Sequence, residues 1–175
     1  MKLAQVLGSA FLLFTAAVFA SSRDVPKECP MMHGQQEPKK PSPGIIERGN
    51  AAMGFDRNKT THHFFLRNDG GVIQVTANDP ADTASRDLIQ RHLTHIAAAF
   101  SSGDFNIPML VHDRVPPGVP DMKRRKGKIH YRYELMETGA RVVLETDDPQ
   151  ALPAIHEFLR FQIQDHATGD SLKVN

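Results

Sequence analysis

The chain has 175 residues, with 21 Lys and Arg against 20 Asp and Glu, nine histidines and one cysteine. The near-neutral balance argues against general nucleic-acid binding, which draws on a clear positive excess. One cysteine permits no internal disulfide, so the fold must rest on its apolar core. The histidines are the only large reserve of charge, and they would turn the chain cationic below about pH 6.

Residues 1–20, MKLAQVLGSAFLLFTAAVFA, carry Lys2, no acid, an apolar run from Phe11 and small residues at the end. This pattern predicts a secretory signal peptide cleaved after Ala20, and hence an exported protein, periplasmic or secreted. The run is shorter than the roughly 20 residues that span a bilayer, and no second run follows, so no transmembrane segment is expected in the mature chain. Residues 21–53 hold five prolines and little apolar content, which predicts a disordered Pro-rich tether. Inside it stands Cys29-Pro30-Met31-Met32-His33. Thiolate and thioether are soft donors that suit Cu(I), and imidazole adds a third kind of donor.

From 54 to 170 the sequence predicts a single α+β domain in which one plan is written twice, at 61–104 and 129–170, with a tail at 171–175. In the first copy His62, Phe64 and Leu66 share a strand face, and Ile73 and Val75 share another. Asn68-Asp69-Gly70-Gly71 between them is a hairpin signal. Ile89, Leu93, Ile96 and Phe100 follow at helical spacing, with Asp79 as a candidate N-cap, Thr83 or Ser85 as a competing start, and Gly103 as the closing residue. The second copy repeats this with Ile129, Tyr131, Tyr133 and Leu135, then Val142 and Leu144. Its helix carries Leu152, Ile155, Leu159 and Ile163, capped by Asp148 and closed at Gly169. Residues 89–104 and 155–170 align without a gap. The order is ββαββα, which packs most simply as a four-stranded antiparallel sheet with both helices on one face. Residues 105–128 hold four prolines and the basic run Lys123-Arg124-Arg125-Lys126, and are expected to cross the domain as an irregular insert. The basic run reads as a solvated turn, or as a docking patch for an acidic partner.

The histidines are the candidate ligands. His62 and His63 are neighbours on a strand and point to opposite faces. His92 and His95 are three apart on a helix, on adjoining sides of one turn. The metalloprotease pattern, His-Glu-x-x-His, is absent. His112 stands near Met109 and Met122, a His/Met group compatible with copper; the other reading has Met109, Leu110 and Val111 plug the core while His112 points out. His130 reads as solvent-facing, and His156 and His166 read as structural. The candidate metal set is therefore Cys29, Met31, Met32, His33, His62, His63, His92, His95 and His112. No nucleophile elbow, phosphate-binding glycine loop or dinucleotide fingerprint is present.

Cys29–His33 resembles the Cys-Pro-Met-His element of short heavy-metal-binding tails in bacterial exported proteins and copper transporters, with a second methionine inserted. TTHHF (60–64), ANDPADTASRD (77–87) and AIHEFLRFQIQDH (154–166) are similar to a family of exported bacterial proteins of unknown function, over roughly residues 48–170. Some members carry the name aspartate carbamoyltransferase. That name does not suit this chain, which lacks a Ser-Thr-Arg-Thr phosphate-binding segment and the four cysteines of the regulatory subunit. The expectation is an exported, non-enzymatic protein that binds a transition metal, Cu or Zn, or a metal-carrying partner. The alternatives are a protein-interaction module of the cell envelope, using the exposed sheet face and residues 105–128, and a hydrolase with an unrecognised site.

Overall fold

Alternation along Thr60–Arg67 sends His62, Phe64 and Leu66 to one side and His63, Phe65 and Arg67 to the other. In the computed structural model, which describes residues 44–174, this segment is strand β1. It pairs antiparallel with β2 (Gly70–Ala77) across a two-residue turn. Strands β3 (His130–Met136) and β4 (Gly139–Glu145) form the second hairpin. The sheet runs β1-β2-β4-β3, antiparallel throughout. Ile73 of β2 lies directly opposite Val142 of β4. These two residues hold the same place in their hairpins, since Ile73 faces Phe64 and Val142 faces Tyr133. A pseudo-twofold axis therefore passes between them. Gly70 is required at the centre of the sheet, because a Cβ there would stand 2.0 Å from the carbonyl oxygen of Leu144.

Helix α2 (Thr83–Ser102) starts at the later of the expected positions, with Asp82 accepting from Ser85 N at 2.9 Å. Asp79 instead caps the turn ahead of it, accepting from Ala81 N. Gly103 closes the helix at φ 83°. The second long helix, Ala151–His166, has Gln150 and not Asp148 at its N-cap; Asp148 closes the turn ahead of it, accepting from the N–H groups of Gln150 and Ala151. It closes two residues earlier than Gly169, at Ala167, which holds φ 55°. Both helices lie on the Phe64/Ile73/Val142 face, and each crosses to the other half: α2 packs mainly on β3 and β4, the second helix on β1 and β2. This exchange joins the halves in one core.

Two expectations are corrected. The tether does not extend to 53, because Ile45–Met53 forms a helix, α1, with Ile45 fully buried. It is short and depends on that burial, worth about 2 kcal/mol, which local composition does not reveal. Residues 1–43, including the signal segment and Cys29, Met31, Met32 and His33, lie outside the described residues. The insert 105–128 is not irregular. It holds α3 (Asn106–His112), α4 (Val119–Arg124) and a 3₁₀ turn at Lys126–Lys128. Pro108 and Pro120 each sit in a first helical turn, where the missing N–H has no partner to lose. Phe105, Val119 and Met122 anchor the insert in the core with no exposed surface. The helix Ala151–His166 is thus α5. Gly118 lets α4 approach it, since a Cβ would meet the carbonyl oxygen of Ala154 at 2.1 Å. No described helix is long and apolar enough to cross a membrane.

Candidate functional site

Five elements converge on one cavity of about 60 Å³. β1 turns His62 toward the helices. α2 supplies His92, α3 supplies His112, and α5 supplies Gln162 and His166. Met53, at the end of α1, completes the polar and sulfur-bearing wall; the remaining surface is aliphatic and aromatic. No Asp, Glu, Lys or Arg lines the space.

The imidazoles form a connected group. The rings of His62 and His166 lie 5.7 Å apart, near parallel, and His112 meets His166 at 5.0 Å, edge to face. Phe55 bridges outward from His62 to His92. His112 is held most firmly. Its Nδ1 lies 2.6 Å from Asp165 Oδ2 and its Nε2 lies 2.8 Å from Gln162 Oε1. Arg114 also pairs with Asp165, at 3.2 Å. Arg57 fixes the end of α5 by donating to the carbonyl of His166 at 2.7 Å.

By contrast, His166 Nδ1 and Gln162 Nε2 are buried without a hydrogen-bond partner among the described residues. An unmet buried polar group costs on the order of 1–3 kcal/mol, so this wall is built at the expense of stability. Burial drives the rings to their neutral form. His62 is pushed down to about 3, by burial first and then by Arg57, His92 and His63. His92 falls to about 4, by burial and then His95. Burial, with His62, Arg57 and His112 beyond it, holds His166 well below the ordinary range.

Of the expected ligands, His62, His92 and His112 are brought together. His112 is a correction of the outward reading, since its side chain is only 1% exposed. His63 is on the opposite strand face, bonded to Asp170 at 2.8 Å, and His95 is exposed on α2. Met109 does not line the cavity, and Met122 is buried in the core. His130 is exposed, and His156 is structural, its Nε2 2.9 Å from the carbonyl of Arg67. His166, Gln162, Asp165 and Met53 were not anticipated. A signal existed in the aligned helices: Gln162, Asp165 and His166 stand where the first copy has Ile96, Ala99 and Phe100.

Among the described residues, no set of three or more His, Cys, Asp or Glu is placed to hold one metal ion. That geometry speaks against a four-ligand structural zinc site. Compared with family models, curated proteins and solved structures, the chain matches none.

Proposed function

We propose that this protein is an exported, non-enzymatic binder of a soft monovalent transition-metal ion, copper(I), held in the imidazole cavity. The observation that carries the reading is a cavity lined by imidazole and thioether donors and by no Asp, Glu, Lys or Arg: the rings of His62, His92, His112 and His166, and the thioether of Met53. A metal-ligating imidazole must be unprotonated. The depressed proton affinities of His62, His92 and His166 keep their lone pairs free well into acid. With no carboxylate in the wall, a dication would be buried uncompensated; a monocation meets about a quarter of that penalty in a continuum picture. Imidazole with thioether is a donor set that suits copper. Copper(I) also accepts two or three ligands, so it does not need the larger set that is missing. Two rings bound to one ion at about 2.0 Å from each nitrogen have centres about 5–6 Å apart, the spacing of His166 from His112 and His62. Asp165 behind His112 is the outer carboxylate that orients a ligating ring. For copper to use His112 Nε2, Gln162 must release it.

The test is anaerobic competition for copper(I) against a chromophoric chelator, with Cys29→Ser/His33→Ala in the background to silence the Cys-Pro-Met-Met-His segment. One equivalent bound per chain is expected, with nitrogen and sulfur scatterers in X-ray absorption. Failure to compete at about micromolar free copper(I) would contradict the proposal.

A second reading has its own observation. Gln162 Nε2 is a buried donor that a metal would not satisfy. A small, mainly apolar organic ligand bearing an acceptor oxygen would pair with it. Native mass spectrometry of the purified chain separates the two by mass.

A further inference from the structure

We infer that β3 is a self-pairing edge, through which two copies of this chain join their sheets. The two outer strands of the sheet are closed differently. On β1, the N–H of Phe64 points away from β2 and donates to Asp170 Oδ2 at 2.9 Å, with Thr168 and His63 bonded to the same carboxylate. The chain after α5 thus seals that edge. Tyr133 is the counterpart of Phe64, and Asp104 the counterpart of Asp170. Asp104, however, is spent on the start of α3, accepting from Asn106 N at 2.8 Å. Among the described residues no strand pairs with the outer side of β3.

The tight turn joining Met136 to Gly139 fixes which backbone groups face out. Met136, Glu134, Arg132 and His130 direct theirs toward β4, so Tyr131, Tyr133 and Leu135 direct theirs to the open side. An antiparallel pairing of β3 with itself, centred on Tyr133, satisfies the N–H and C=O of all three. In that register each Arg132 lies opposite the other copy's Glu134. Centring on Arg132 or on Glu134 instead would set like charges face to face. On the helix side the same register places Leu135 beside the other copy's Tyr131. Leu135 is 69% exposed, the most exposed of the large apolar side chains. Arg132 is half exposed and pairs within the chain with Glu134 and Glu145, and Glu134 also with Arg141, so the dimer contact exchanges these surface pairs for pairs between copies. One strand pair buries little area, so the dimer is of the weak, reversible class.

Sedimentation equilibrium of the chain over a rising concentration series tests this. A monomer–dimer equilibrium is expected. Arg132→Glu and Glu134→Arg should each weaken it about tenfold or more, and an equimolar mixture of the two variants should restore it, because opposite charges again face each other. Tyr133→Pro removes the outward N–H together with a ring packed against the core, and should abolish pairing; the far-ultraviolet spectrum checks that the variant stays folded. A wild-type chain that remains monomeric overturns the inference and leaves the edge to a foreign strand. So does a mixture of the two folded charge variants that stays as monomeric as either alone.

Discussion

Over β3 and β4, Phe100 stacks on Phe105 at 4.3 Å and meets Tyr131 and Phe158 at 5.9 Å each. These rings pack against one another, and Phe100 and Phe158 also reach the cavity wall. Over β1 and β2 the corresponding residues are His166 for Phe100, His62 for Tyr131 and His92 for Phe158. Ser171, exposed beyond α5, holds the place of fully buried Phe105. The first half closes with an aromatic plug; the second lacks it, and the cavity lies beside the rings that such a plug would cover. The same backbone plan is therefore stable with phenylalanine and tyrosine. The counterpart half shows that the fold does not demand imidazoles here; each half leaves a buried polar atom unmet, His166 Nδ1 in one and the Tyr131 hydroxyl in the other. Side chains that the fold does not need, gathered on one cavity, are what a binding site requires.

The comparison can be broken most forcefully in the filled half. Phe105→Ala removes a fully buried ring from the aromatic cluster. It should cost about 3–5 kcal/mol in urea unfolding and leave copper binding intact at low temperature. An equal loss of copper affinity would mean that the halves are not separable.

Acid should act on the other half. A folded His62 holds its proton more weakly than an unfolded histidine near 6.5. Below about pH 6.5 the unfolded chain therefore takes up more protons, and stability falls as pH falls, down toward about 3 for this ring. His62 alone contributes a slope of about 1.4 kcal/mol per pH unit in that window. Urea midpoints measured between neutrality and mild acid should decline accordingly; a flat profile would place the rings in water. In the same range copper affinity should change little, unlike that of an ordinary histidine site.

Asp165→Asn keeps the shape behind His112 and removes the carboxylate that orients it. Copper affinity should fall by about 10- to 100-fold with the cavity residues unchanged. The smallest effect lies at the sheet edge. Asp170→Ala leaves Phe64 N–H and His63 without their acceptor, and should cost about 1 kcal/mol. Differential hydrogen exchange at Phe64, and not at Tyr133, would locate that loss.

Both hairpins and both long helices were legible because period-2 and period-3.6 patterns are local properties of sequence. α1 was not, because its stripe of Ile45, Gly49 and Met53 includes a glycine and gains its stability from tertiary burial. α3 and α4 were hidden by prolines that read as loop residues yet sit in first helical turns. His62, His92 and His112 were legible as donor types, but their convergence depends on α2 and α5 crossing to opposite hairpins, a tertiary fact. His166 was taken for a structural residue because it ends an apolar helix. The cavity itself is lined from several elements far apart in sequence, and no single residue announces it.

The most direct test is to make the site half resemble its counterpart: His62→Tyr with His166→Phe, reproducing the Tyr131 and Phe100 pair. Tyr131 is the buried phenol of the counterpart position, its ionisation suppressed by burial and its hydroxyl without a partner. The account predicts a folded protein, at least as stable at neutral pH and less sensitive to acid, that no longer competes for copper(I). Retention of wild-type copper affinity by that double variant would contradict it.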